Sequence, residues 1–267
     1  ESRIDTPHMD RMAERGMTFT DAHASSAVCT PSRYSILTGR YSWRGPLQQG
    51  VLGPAEAPLI TDDITTWPQF LKANGYHTAL IGKWHLGLDW PFRTPTDPRK
   101  LQRWSQETHD ALWDIDYTQR IDNGPVDRGF DTWFGVDIPN FPPYCWIQDD
   151  HTVGIPTEEK PDRKIMMGDP GPMVPGWSYE ALLPTMTEKA EAYIADHADD
   201  EEPFFLFFSS TAPHTPINPT EEFQGTSRAG VYGDFVQQLD ATVGRINAAL
   251  EKEGLLENTL VILSSDN

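Results

Sequence analysis

The chain has 267 residues, of which 38% are hydrophobic, with nine Trp and twelve Phe, and its formal net charge is −19. That length and apolar content allow one large α/β domain, and the acidity argues against a nucleic-acid partner without excluding a small anionic substrate in a local basic pocket. No run of about 20 apolar residues could span a membrane. The two cysteines, Cys29 and Cys145, are too few for a disulfide framework, and a bridge between them would consume the more interesting of the pair.

In chain order, residues 6–16 read as a helix capped by Thr6, opened by Pro7 and closed by Gly16. Residues 17–22 alternate like a strand. A helix over 31–38 follows, with Thr30 at its N-cap, Pro31 at its first position and Gly39 just past its end. Residues 65–73 read as a helix ending at Asn74-Gly75, and 76–81 as a short buried strand. From 89 to 184 periodicity weakens and Pro, Gly, Trp and Asp become dense, so this stretch is expected to form long excursions over one face, where active-site walls commonly arise. A helix over 185–197, a buried strand over 204–208, an amphipathic helix carrying Phe235, Leu239, Val243, Ile246 and Leu250, and a last buried strand over 259–263 complete the pattern. Strand–helix alternation of this kind predicts an α/β fold with a mainly parallel sheet and helices on both sides.

Four polar clusters stand out. Cys29-Thr30-Pro31-Ser32-Arg33 lies at a helix start, where free N–H groups and the macrodipole favour negative charge, and Arg33 on the first turn adds a fixed guanidinium. Gly82-Lys83-Trp84-His85-Leu86-Gly87 follows the strand at 76–81; on an extended backbone Lys83 and His85 share a side. Pro213-His214-Thr215-Pro216 follows the strand at 204–208, and Ser264-Ser265-Asp266-Asn267 follows that at 259–263. Ligands of open α/β sheets bind outside the carboxyl ends of the strands, so one rule places Cys29, Lys83, His85, His214 and Asp266 on a single rim.

Cys-x-Pro-Ser-Arg with Thr38-Gly39 in register resembles the signature of the formylglycine-dependent (type I) sulfatases, members of the alkaline phosphatase-like superfamily. Gly-Lys-Trp-His-Leu-Gly, Pro-His-Thr-Pro and Ser-Asp-Asn resemble further segments of that family in its own order, and Arg128-Gly129-Phe130-Asp131 resembles a structural one, so the likeness runs along nearly the whole chain.

The resemblance implies a sulfuric ester hydrolase acting on a sulfated carbohydrate or aryl sulfate. Cys29, oxidised to formylglycine (3-oxoalanine) by a formylglycine-generating or anaerobic maturation enzyme, is then the nucleophile and a metal contact. Arg33 stabilises its hydrate. His85 holds one hydroxyl of the hydrate, and Lys83 and His214 bind the sulfate and assist the leaving group. Asp266 and Asn267 give oxygen ligands to Ca²⁺, which suits such hard donors. The implied compartment is periplasmic, secreted or lysosomal.

Nothing before Cys29 matches the family's upstream aspartate pair, since Asp5 and Asp10 fall in or beside the first helix, and the family's downstream lysine is absent. A single sulfatase catalytic domain over 1–267, lacking its first strand and C-terminal subdomain, is therefore expected. The competing readings are a phosphonate or phosphate ester hydrolase of the same superfamily and a non-catalytic glycan-binding relative. Trp90, Trp104, Trp113, Trp133, Tyr144 and Trp146 are candidates for stacking on sugar rings, with core packing as the alternative.

Overall fold

A computed structural model describes residues 2–101, 105–161 and 168–267. Two compact units emerge: a smaller one of Glu1–His23, Ser178–Glu201 and Ser210–Ser264, and a larger one of Ala24–Trp177, Glu202–Ser209 and Ser265–Asn267.

The larger unit is built on a five-stranded sheet ordered β4-β3-β2-β1-β7. Its strands are β1 (His77–Lys83), β2 (Thr132–Val136), β3 (Trp146–Gln148), β4 (His151–Val153) and β7 (Phe204–Ser209), while β5 (Glu158–Lys160) and β6 (Gly171–Met173) form a separate hairpin-like pair. β1 runs parallel to both β2 and β7, and β3 and β4 add antiparallel strands at one side. The expected parallel core is thus present, with a mixed edge.

β1 is an interior strand for a reason visible in its residues. Ala79, Leu80 and Ile81 are buried on both faces, and full burial of a Leu or Ile contributes about 1.5–3 kcal/mol. Gly82 pairs with Gly135 on one side and Ser209 on the other. A Cβ on Gly82 would collide with the Ser209 carbonyl, and one on Gly135 with the Gly82 carbonyl. Two glycines therefore let three strands close up where the polar side chains begin.

Helix α2 (Cys29–Thr38) ends as expected at Gly39, which has φ 66°. Its start differs. Cys29 is itself the first helical residue, with Val28 at the N-cap, so Thr30 lies inside the first turn, buried, and its Oγ1 accepts the Leu52 N–H at 3.3 Å. Helix α3 (Trp67–Ala73) is opened by a Thr66–Gln69 capping box and packs against β1. The Arg128–Asp131 segment is structural, as the resemblance implied. Asp131 receives the Thr78 N–H at 2.9 Å and pairs with Lys72 at 2.5 Å, and Phe130 is buried.

The stretch 89–184 is more than surface excursion. It supplies β2 to β6 and helix α4 (Gln106–Trp113), including the strand that pairs with β1 along five positions. Weak periodicity hid this, because strands of three to five residues leave little pattern to read.

In the smaller unit, α5 (Leu182–Asp196) packs on α6 (Gly230–Lys252), and α1 (Pro7–Arg15) packs on α6 as well. Thr6 makes no side-chain cap. Asp240 of α6 takes that role, accepting the His8 and Met9 N–H groups at 3.1 and 2.8 Å. Two expected strands are absent. Residues 17–22 and 259–263 join no ladder among the described residues, and Met17, Phe19, Leu260 and Ile262 are largely exposed. Apolar alternation does not make a strand unless a neighbouring edge accepts its hydrogen bonds. The run 204–208, expected to be closed on both faces, is instead half-buried on the edge strand β7.

Candidate active site

The site grows from the first turn of α2 and the carboxyl end of β1. Cys29 Sγ lies 3.3 Å from His85 Nδ1. The ammonium of Lys83, the last residue of β1, also meets the Cys29 side chain, and Arg33 sits one turn along α2. All four side chains are nearly solvent-free.

His85 does not reach Cys29 by the expected route. Its φ of 59° breaks the extended chain, so it and Lys83 do not share a side through strand alternation. They converge on Cys29 because the backbone turns after Lys83. The imidazole is held at both ends: Nε2 faces the Leu52 carbonyl at 2.9 Å and Nδ1 faces Cys29. A carbonyl can only accept, so Nε2 carries a proton and, in the neutral ring, Nδ1 presents its lone pair to Cys29.

Arg33 is fixed from two directions. Its Nη1 donates to the Lys83 carbonyl at 3.0 Å and to Ser209 Oγ, while Ser209 Oγ donates to the same carbonyl at 2.8 Å. Its Nε pairs with Asp266 Oδ2 at 3.0 Å. Burial lowers the Arg33 guanidinium below its ordinary range, and Asp266 and Cys29 work against that. Burial also pushes Lys83 down to about 8, aided by the neighbouring Arg33 and opposed by Cys29 and Asp266. Two buried cations thus face one thiol in a chain of net charge −19. Asp266 offsets part of that charge through Arg33, and an anion at the Cys29 position would offset more of it.

The surroundings of Cys29 suit an oxygenated side chain better than a thiol, which is a weak hydrogen-bonding group. Lys83 and His85 contact it and Arg33 lies close by, a set able to serve two hydroxyl oxygens. The residues therefore fit the modification that the family resemblance implies. Calcium is different. Asp266 and Asn267 offer oxygens of the right kind, and Asn267 Nδ2 donates to Asp266 Oδ1 at 2.8 Å. Among the described residues, however, no three His, Cys, Asp or Glu side chains gather as a cation site. The two fall short of the about six to eight oxygens that Ca²⁺ takes.

Of the seven residues expected from sequence, Cys29, Arg33, Lys83, His85 and Asp266 converge in the larger unit, with Asn267 on Asp266. His214 lies in the smaller unit, exposed, its Nδ1 2.7 Å from the Thr215 carbonyl. Ser209, the Leu52 carbonyl and Asp137 were not anticipated. Ser209 could have been noticed as the first polar residue after the Phe204–Phe208 run. Asp137 directly follows β2, much as Lys83 follows the strand expected over 76–81, but β2 is too short to show a strand pattern in the sequence.

The proposed sugar stackers divide. Trp90, Trp133 and Tyr144 are core residues, 5%, 0% and 1% exposed. Trp146 is half-buried against Phe134, and Trp113 donates to Glu159 at 3.0 Å. Trp104 lies outside the described residues. Both cysteines are free, so no bridge blocks Cys29. No helix among the described residues is long and apolar enough to cross a membrane.

A family model described as Sulfatase matches residues 1–267. An N-acetylgalactosamine-6-O-sulfatase of Bacteroides thetaiotaomicron is 36% identical over 289 residues, which cover 100% of this chain and 54% of that protein. Human arylsulfatase A is 32% identical over 271 residues, 98% of this chain and 47% of that one. A solved structure from work on glycosaminoglycan metabolism by Bacteroides thetaiotaomicron superposes with a TM-score of 0.79 at 28% identity, covering 97% of this chain and 56% of that one. The chain spans about half the length of the curated relatives it matches.

Proposed function

Because this chain belongs to the sulfatase family, we propose that it carries the nucleophile of a sulfuric ester hydrolase that removes sulfate from a sulfated carbohydrate or an aryl sulfate. The observation that supports this most is the convergence of His85 Nδ1, Lys83 and Arg33 on or beside Cys29. Formylglycine at Cys29, when formed, supplies a hydrated aldehyde with one hydroxyl for attack on sulfur and a second for releasing sulfate.

The residues of this chain serve that chemistry as follows. Lys83, with His214, binds the sulfate oxygens and offsets charge as it builds on the transferring group, and Arg33 stabilises the formylglycine hydrate. His85, with its Nε2 proton on the Leu52 carbonyl, takes a proton at Nδ1 from the group at the Cys29 position. His214, assigned by the family resemblance alone, is the candidate for giving a proton to the departing alkoxide, so that alcohol leaves and the ester oxygen stays with it. Asp266 steadies Arg33 and, with Asn267, gives part of a calcium shell that other ligands must complete. The maturation enzyme and a periplasmic, secreted or lysosomal compartment belong to the same proposal.

The test is a desulfation screen of the full-length protein across sulfated glycans, led by N-acetylgalactosamine 6-sulfate as the name of the bacterial relative suggests, with aryl sulfates alongside and phosphate monoesters and diesters as controls. Sulfate release, with a Cys29 peptide that has lost sulfur and two hydrogens and gained one oxygen, is expected. Phosphate or phosphonate release alone would assign the other superfamily chemistry, and an unmodified, inert protein would point to a glycan-binding relative.

A further inference from the structure

We propose that Asp137 is the positioning residue for His85: its carboxylate holds the His85 main-chain N–H and thereby keeps the imidazole turned onto the Cys29 side chain. The inference rests on the function proposed above but on separate observations.

His85 is a non-glycine residue with φ 59°. Residues of this type rarely occupy the left-handed region, and they persist there only when the surroundings hold them. Asn or Gly would suit the turn better, so the imidazole is what requires His at this position. Two consecutive main-chain donors anchor the turn to the end of β2. The Trp84 N–H donates to the Val136 carbonyl at 3.0 Å, and the His85 N–H donates to Asp137 Oδ1 at 3.0 Å. The first is an ordinary ladder-like bond. The second needs a side chain, and Asp137 supplies it. If the His85 N–H were released, φ could return to negative values, and the ring would swing off Cys29 and the Leu52 carbonyl.

The carboxylate's environment agrees with a role as acceptor rather than as charge. Asp137 keeps part of its surface exposed, yet its carboxyl group is enclosed by protein. Burial pushes it up to about 7, against the pull of the His85 N–H and the Lys83 ammonium. A carboxyl oxygen accepts a hydrogen bond in either protonation state, and so does the carbonyl oxygen of Asn.

The experiment compares Asp137→Asn, Asp137→Ala, His85→Ala and the Asp137→Ala/His85→Ala double variant in the full-length protein. Displacing a reacting group by about 1 Å costs on the order of 100-fold. Asp137→Ala should therefore lower kcat by about 10- to 100-fold with KM little changed, and Asp137→Asn should stay near wild type. In the His85→Ala background, Asp137→Ala should add no further loss.

Selective ¹⁵N-histidine NMR gives a readout that needs no substrate. Wild type and Asp137→Asn should show His85 protonated at Nε2, whereas Asp137→Ala should show a mixture of tautomers. That arm stands even if no sulfate ester is turned over. Should Asp137→Ala not fold, Asp137→Leu, similar in shape and without an acceptor, replaces it. Equal losses in the Asn and Ala variants, an undiminished loss in the His85→Ala background, or an unchanged His85 tautomer in Asp137→Ala would overturn the proposal.

Discussion

Cys29 and Cys145 are both buried, free thiols of the larger unit, 8% and 2% exposed, and their neighbourhoods could hardly differ more. Cys145 precedes the short strand β3, and its Sγ donates a long hydrogen bond to the Pro143 carbonyl at 4.0 Å. Burial pushes its thiol far above the ordinary range, and the charge of Asp137 adds to that. Cys29 has Lys83 and His85 against it and Arg33 close by. A chemical thiol position is thus marked by the donors that separate elements bring to it, while burial alone describes an inert one. Asp137 touches both neighbourhoods: it disfavours the Cys145 thiolate and anchors His85 beside Cys29.

The largest contrast should come from replacing the two sulfurs. Cys29→Ser in the full-length protein, produced in a host that leaves serine unmodified, should lose turnover by several orders of magnitude while its melting temperature stays close to wild type. Multiple turnover at the wild-type rate would remove Cys29 from the mechanism. Next, Lys83→Met should lower kcat/KM by about 100- to 1000-fold, comparable to loss of a preorganised oxyanion donor. Stability should hold or rise at neutral pH, because Met ends the burial cost that pushes the Lys83 ammonium down to about 8. Activity and stability moving together would show that Lys83 is structural.

A smaller effect should appear in the pH dependence of stability. Asp137 titrates higher in the folded chain, at about 7, than an unfolded Asp does, at about 4. The folded state then binds that proton more tightly. Its stabilising contribution is full below the unfolded value and is lost as pH rises through the folded one. Urea midpoints measured on either side of that window should fall in wild type and fall less in Asp137→Asn; parallel curves would mean that Asp137 does not titrate there. Smallest in activity is Cys145→Ser. A buried hydroxyl lacking a close partner should cost about 1–3 kcal/mol of stability and leave turnover near wild type. A collapse of turnover with the fold intact would end the contrast between the two cysteines.

Legibility from sequence tracked length and capping chemistry. Helices α1, α3 and α6 were readable because Pro7, the Asn74-Gly75 stop and the apolar face led by Phe235 are local signals, acting within a few residues of one another. β1 was readable as an apolar run, though it continues to Lys83. β2 was not, since five residues within a loop-rich stretch carry too short a period. Residues 259–263 show the opposite error: a strand-like sequence stands outside every ladder among the described residues. In the site, side chains placed by strand ends were legible, and their supports were not.

The sequence by itself determined the chemistry available to this protein: a thiol at a helix start, a lysine and a histidine after a strand, an arginine one turn on and an Asp-Asn pair, in the order of the sulfatase family. Only the tertiary structure decided how they meet. The left-handed turn at His85, the Leu52 carbonyl that sets its tautomer, the Ser209 hydroxyl under Arg33 and the Asp137 carboxylate beneath His85 come from distant segments. The physical reason is that residue types and local caps act through neighbours in the chain. Proton placement and side-chain aim depend on hydrogen bonds to groups dozens of residues away, which no local pattern records.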